Sequence, residues 1–295
     1  MKAMIYISVL SLVIAATACG RKSPADRNDD NAATYRLARV IEVDGRQGVA
    51  TDGEFYYVSG STALYKYDKQ GRLVAENTSP FDGLALEANH IGDIDVHDGE
   101  IYAGIEWFED GVGRNIQAAV YDASTLQWVR SIDWQPSSGQ VEVCGLAVDA
   151  ERGKLYMADW VDGRYIYRYD LSTGDYEDKI QLRPVPALQQ GICVAGDSIL
   201  ISADDGEADR DEADRIYWAP IADLSAASVD VAVMRTMSDF RRAGEIEGLT
   251  VDPSTGELVV LSNRGARIVL GMPRGFYDGY DREIHELYIY EPVVE

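Results

Sequence analysis

Along this chain a polar residue and a glycine repeatedly introduce an apolar run, followed by a tight turn and a second short apolar or aromatic run. The phrase reads Gln47-Gly48-Val49-Ala50-Thr51-Asp52-Gly53, then His90-Ile91-Gly92 leading to Asp98-Gly99. It returns as Cys144-Gly145-Leu146-Ala147-Val148-Asp149, Gln190-Gly191-Ile192-Cys193-Val194 and Glu247-Gly248-Leu249-Thr250-Val251-Asp252. The glycines at 48, 92, 145, 191 and 248 lie 44, 53, 46 and 57 positions apart. A period of that size carried by strands predicts a stacked or radial repeat.

Each repeat predicts the same order of elements. Strand A is the Gly-apolar run, and strand B is a short apolar or aromatic run such as Phe55-Tyr56-Tyr57-Val58 or Leu258-Val259-Val260-Leu261. The turn between them holds Asp52-Gly53, Asp98-Gly99 or Ser254-Thr255-Gly256, as hairpins require. Strand C alternates aromatic and polar residues and often ends on an acid, as in Ile166-Tyr167-Arg168-Tyr169-Asp170. Strand D follows a turn such as Leu171-Ser172-Thr173-Gly174. Four antiparallel strands per repeat without a helical period predict an all-β chain, a β-propeller of five four-stranded blades. The fifth repeat lacks a strand D, and the alternating segment Tyr35–Val43 is expected to supply it, closing the ring. Six blades, the alternative, would need a sixth glycine phrase.

Composition narrows the partners. The chain has 27 Lys and Arg against 50 Asp and Glu, a net charge of −23 that repels phosphate backbones and excludes nucleic acid as a partner. Cations or basic partners are the natural counterparts, although exported proteins are also acidic simply for solubility. Lys2 and the apolar Met4–Ala18 stretch form an export signal, too short to span a bilayer. Its end, Ala16-Thr17-Ala18-Cys19-Gly20, resembles the lipobox of bacterial lipoproteins, with Ala16 where that family prefers Leu. The resemblance implies a signal peptide at 1–18 and a lipidated Cys19. It also implies an anchor in the bacterial cell envelope, at the outer membrane facing the periplasm. Residues 19–34 read as a disordered tether and 35–295 as the propeller domain. Cys144 and Cys193 are three residues out of register relative to their repeat glycines. That offset is roughly 10 Å along a strand, so both are expected as buried free thiols.

The Tyr-x-Tyr-Asp strand with Ser-Thr-Gly, and the Gly-Leu-x-Val-Asp strand, resemble exported bacterial propellers of the NHL, SMP-30 and YncE type. Glu247 through Asn263 is similar to the SdiA-regulated and phytase-like propellers. Gln47-Gly48-Val49 resembles the plant-type five-bladed glutaminyl cyclases. That family continues with Tyr-Glu-Ser-Thr-Gly, whereas here Val58 precedes Ser59-Gly60 and the glutamate is missing.

Strand A entrances and strand B exits meet at the channel mouth of a propeller, which makes a ring of carboxylates and amides the candidate ligand site. Its members are Gln47, His90, Glu106, Glu142, Trp160, Gln190, Glu247, Asn263 and Arg264, with Glu245, Ser59 and Asp159 beside them. Three strand B to C connections are long (106–116, 203–214 and 262–286), and long loops over a rigid scaffold carry function. The second packs seven carboxylates into eleven residues, Asp204 to Asp214. Its Asp204 and Asp205 are the candidate calcium ligands, although EF-hand spacing is absent and a solvated acidic loop is the plainer reading. The third, around Arg274-Gly275-Phe276-Tyr277, is expected either to form a binding lip or to fold back over the channel as a plug. No nucleophile elbow, zinc helix or phosphate loop occurs. Three readings follow: binding of a small ligand or protein at an acidic mouth without catalysis, a calcium-dependent hydrolase of lactonase or phosphoesterase type, or a scaffold within an envelope complex.

Overall fold

The computed structural model describes residues 35–109, 111–160, 163–221, 227–241, 243–269 and 272–293. The expected signal peptide, tether and Cys19 lie outside the described residues. The rest is a five-bladed β-propeller with no α-helix among the described residues. From the axis outward, blade 1 is Gly48–Thr51, Phe55–Gly60, Ala63–Asp68 and Leu73–Asn77. Blade 2 is His90–His97, Glu100–Glu109, Val112–Asp122 and Trp128–Asp133. Blade 3 is Gly145–Asp149, Lys154–Ala158, Tyr165–Asp170 and Tyr176–Arg183. Blade 4 is Gln189–Ala195, Ser198–Ala203, Arg215–Pro220 and Ala232–Thr236.

Blade 5 is built from both ends of the domain. Gly244–Val251, Leu258–Arg264 and Ile284–Pro292 are completed by Tyr35–Val43, which pairs antiparallel with the last strand from Tyr35 opposite Pro292 to Val43 opposite His285. An edge strand left unpaired would template association with another chain, and this pairing removes it.

Burial follows the alternation read from the sequence. Five apolar cores fill the five seams between adjacent blades, the last joining Val49, Tyr56 and Val58 of blade 1 to Val259, Leu261 and Ile289 of blade 5. Strand C tyrosines bury their rings in these seams and send the hydroxyl to a polar partner: Tyr67 to Asp44 at 3.0 Å, Tyr167 to Asp159 at 2.7 Å and Tyr288 to Glu286 at 3.1 Å. The acid closing strand C or A folds the next turn by accepting from Ser and Thr. Asp122 takes the Ser124 and Thr125 donors, Asp170 those of Ser172 and Thr173, and Asp252 those of Ser254 and Thr255. Lys69 of blade 1 reaches Asp252 of blade 5 at 2.6 Å and ties the closing seam.

Three of the repeat glycines, Gly48, Gly191 and Gly248, close on one side chain at the axis. Asp93, fully buried, accepts from the Ile192 amide at 3.0 Å and the Leu146 amide at 3.4 Å, while its own amide donates to the Cys144 carbonyl at 3.0 Å. A Cβ at Gly248 would stand 2.5 Å from Asp93 Oδ1 and 2.7 Å from Gly48 Cα. Asp93 thereby staples blade 2 to blades 3 and 4, beneath the mouth.

Three connections differ from their sequence reading. The 106–116 loop is instead a continuation of the blade 2 hairpin, because Trp107, Phe108 and Glu109 pair with Arg114, Gly113 and Val112. The blade 5 insertion is a hairpin, Ala266–Val269 against Met272–Phe276. Its Arg267 holds Asp209 of the blade 4 loop at 2.9 Å, so it leans sideways rather than over the axis. Blade 3 also gains a short parallel outer strand, Ser228–Asp230.

Candidate functional site

At the mouth lies a cavity of about 190 Å³. Gln47, His90, Glu142, Trp160, Gln190 and Glu247 of the sequence-derived ring line it, together with Glu245. Arg46, Ser61, Asn89, Phe108 and Cys144 complete the wall. Arg46 and Asn89 each directly precede a member of the expected ring, and Phe108 lies in the segment 106–116 expected as a loop. The blade 5 hairpin contributes no described residue to this wall.

One half of the cavity is aromatic above and acidic below. His90 and Phe108 rings stand 5.4 Å apart, and Trp160 meets Phe108 edge-on at 6.3 Å. Phe108 is fixed by Asn89, whose side chain donates to the Phe108 carbonyl at 3.0 Å and accepts from its amide at 2.7 Å. Beneath them Glu142 and Glu106 are buried, at 2% and 0% exposure. Glu142 accepts from the Trp160 amide at 2.6 Å and Glu106 from the Val143 amide at 3.1 Å. Asp159 accepts from the amides of Val141 and Glu142 and from the Tyr167 hydroxyl. Among the described residues no Lys or Arg ion pair reaches these three acids, and the basic group that meets them is His90, 3.5 Å from Glu106. Burial, followed by the neighbouring Glu106 charge, pushes the Glu142 carboxyl well above the usual carboxylate range. Burial raises Asp159 to about 6 in spite of its hydrogen bonds.

The opposite half holds a cation of its own, Arg46. Glu245 pairs with Arg46 at 3.2 Å, and Arg46 also holds Glu283 at 3.1 Å. Asn263 donates to Glu247 at 2.5 Å and to the Arg46 carbonyl at 3.0 Å, and its own oxygen meets His285 Nδ1 at 2.8 Å. Asn263 therefore stands behind the wall as a support for Glu247. Burial and the Glu245 charge raise Glu247 well above the carboxylate range.

Arg264 turns away, holding Glu286 through two bonds of 2.9 Å. In the blade 4 loop Asp205 is taken by Arg215 at 2.9 Å and by Tyr217 at 2.5 Å. Asp204 is raised by burial and by Glu245. Among the described residues no group of three or more His, Cys, Asp or Glu side chains is arranged to hold a metal ion. Cys144 and Cys193 are buried free thiols.

No family model and no curated protein sequence matches the chain. The chain does resemble solved structures. A glutaminyl cyclase from Myxococcus xanthus superposes with a TM-score of 0.56 at 14% identity, over 88% of this chain and 97% of that one. A hydrazine synthase from Kuenenia stuttgartiensis gives a TM-score of 0.45 at 11% identity, over 84% of this chain and 63% of that one. The first likeness is one of fold: a propeller ring of the same build.

Proposed function

We propose that the channel mouth binds a small organic cation, with its ammonium group over Glu142 beneath the His90, Phe108 and Trp160 rings. The observation that carries this reading is the charge imbalance of the two halves. Glu245 has Arg46, whereas Glu142, Glu106 and Asp159 are held by backbone amides and a tyrosine hydroxyl. Buried carboxylates lacking a cation must either keep a proton or recruit a positive charge, and a wall of aromatic faces is where an ammonium ion is favoured. Gln47 and Gln190 would hold the polar remainder of the ligand.

Titration calorimetry of the purified full chain with choline and benzylamine tests this, with 3,3-dimethylbutanol as the neutral isostere of choline. The cations are expected to bind and the isostere not. Glu142→Gln is expected to weaken the cations about 30-fold, equivalent to about 2 kcal/mol for a charge-assisted contact. Equal binding of choline and its isostere, or no binding of any cation, would sink the reading. A rise in melting temperature with calcium that Glu247→Gln abolishes would favour the metal-dependent hydrolase instead.

The same proposal places the domain in the bacterial envelope, tethered through a lipid on Cys19. Labelled fatty acid is expected to be incorporated by the wild-type chain and not by Cys19→Ala; labelling that survives the substitution would remove the anchor.

A further inference from the structure

The buried polar atoms behind the cavity include two that face one another. His90 Nδ1 and Glu106 Oε1 lie 3.5 Å apart, and neither has another hydrogen-bond partner. The other Glu106 oxygen is fixed by the Val143 amide at 3.1 Å, which leaves Oε1 aimed at the imidazole. The backbone makes room for this carboxylate: a Cβ on Gly113 would fall 1.9 Å from Glu106 Oε2, so a glycine there lets the acid tuck under the hairpin. The ring is held by Phe108, itself pinned by Asn89. A proton on Nδ1 satisfies both orphaned atoms at once, and such contacts tighten when a substrate fills the site. The nitrogen left for the cavity is then Nε2, with its lone pair.

We propose that His90 is a general base in this cavity and Glu106 its positioning residue, and that the site hydrolyses acyl esters whose alcohol carries an ammonium group. The inference rests on the cation-binding reading above. His90 Nε2 takes a proton from water, the water oxygen bonds to the carbonyl carbon, and the bond from that carbon to the alcohol oxygen breaks. The proton then passes from the imidazolium to the leaving alkoxide, giving a carboxylic acid and a cationic alcohol. Glu106 holds the imidazole by the proton on Nδ1 and stabilises the imidazolium as it forms. The titratable groups facing His90 are Glu106 on its own blade and Glu142 across the seam, with Asp159 behind Glu142. Across the cavity Glu247 stands beside the compensated Glu245–Arg46 pair.

Acetylcholine, with 3,3-dimethylbutyl acetate as its neutral isostere, serves as the probe, alongside choline binding by calorimetry. Turnover of acetylcholine in preference to the isostere is expected, with kcat/KM falling roughly 10²-fold to 10⁴-fold in His90→Gln, far more than the loss of choline affinity that removing the ring causes. Glu106→Gln is expected to lower kcat with KM little changed, a split that a merely structural role would not produce. Nitrogen-15 spectra of labelled histidine should show the His90 proton on Nδ1 in the neutral ring. Choline binding without acetylcholine turnover, or a neutral ring protonated on Nε2, overturns the general base and leaves the binding reading standing. Failure to bind any cation overturns both.

Discussion

Gly248→Ala is expected to destabilise the domain by at least about 3 kcal/mol, and Gly99→Ala by only about 1 kcal/mol. Both glycines belong to the repeat phrase, yet they are glycine for different reasons. Gly99 sits in a turn at φ 76° with no atom within 4 Å of an added Cβ, so the cost there is that of a left-handed backbone. At Gly248 the added carbon would lie 2.5 Å from Asp93 Oδ1, 2.7 Å from Gly48 Cα and 3.0 Å from Val49 N. Two of these three neighbours are backbone, and Asp93 is held by amides of blades 3 and 4, so no rotamer relieves the overlap. The inner strands of blades 5 and 1 would have to separate where Gly248 N donates to the Gln47 carbonyl at 2.9 Å. Denaturant unfolding of the two variants checks the contrast; equal losses would remove the close axial packing as the reason for the glycine phrase.

Stability is expected to peak near pH 4–5 and to fall by several kcal/mol toward pH 7. Burial raises Asp95, Asp159 and Asp214 from 3.8 to about 6. A group whose folded value lies above its unfolded one contributes fully below the unfolded value and loses that contribution as pH rises through the folded one. For Asp95 the change is about 2–3 kcal/mol between pH 4 and 7. Asp93 is raised well above the usual carboxylate range by burial and acts in the same sense. The turn acids act in the opposite sense. Asp122 is lowered to about 2 by Ser124 and Thr125, and Asp170 to about 2 by Ser172 and Thr173. Asp252 is raised by burial, but its bonds to Lys69 and Ser254 bring it to about 2. These acids stabilise the fold above 3.8 and lose that effect as pH falls toward 2. The net charge of −23 adds repulsion on the alkaline side. Asp95→Asn, which keeps an oxygen for the Val148 amide, should flatten the limb from pH 4 to 7. Melting temperatures that rise from pH 5 to 7 would contradict the scheme.

The cavity was legible in the sequence as a location. The polar residue before or near each repeat glycine was placed at the mouth by register alone, and Gln47, His90, Glu142, Gln190 and Glu247 all line it. Strand B exits were less legible. Trp160 lines the cavity, but Arg264 is captured by Glu286 and Asn263 is drawn behind Glu247, since a side chain at a strand exit points where its nearest opposite charge or acceptor stands. Phe108 and the Glu106–His90 contact depend on the blade 2 hairpin continuing past its expected end, and no periodicity marks that continuation.

By itself the sequence determined the repeat, the five-bladed ring and its closure by Tyr35–Val43, because strand alternation and turn chemistry are local and recur at each copy. Only the tertiary structure decided which of the converging acids has a cation. Glu245 meets Arg46 across the blade 5 to blade 1 seam, while Glu142 and Glu106 face one another across the blade 2 to blade 3 seam with a histidine beside Glu106. Charge compensation is a matter of distances between blades, and those distances are set by the packing of the ring.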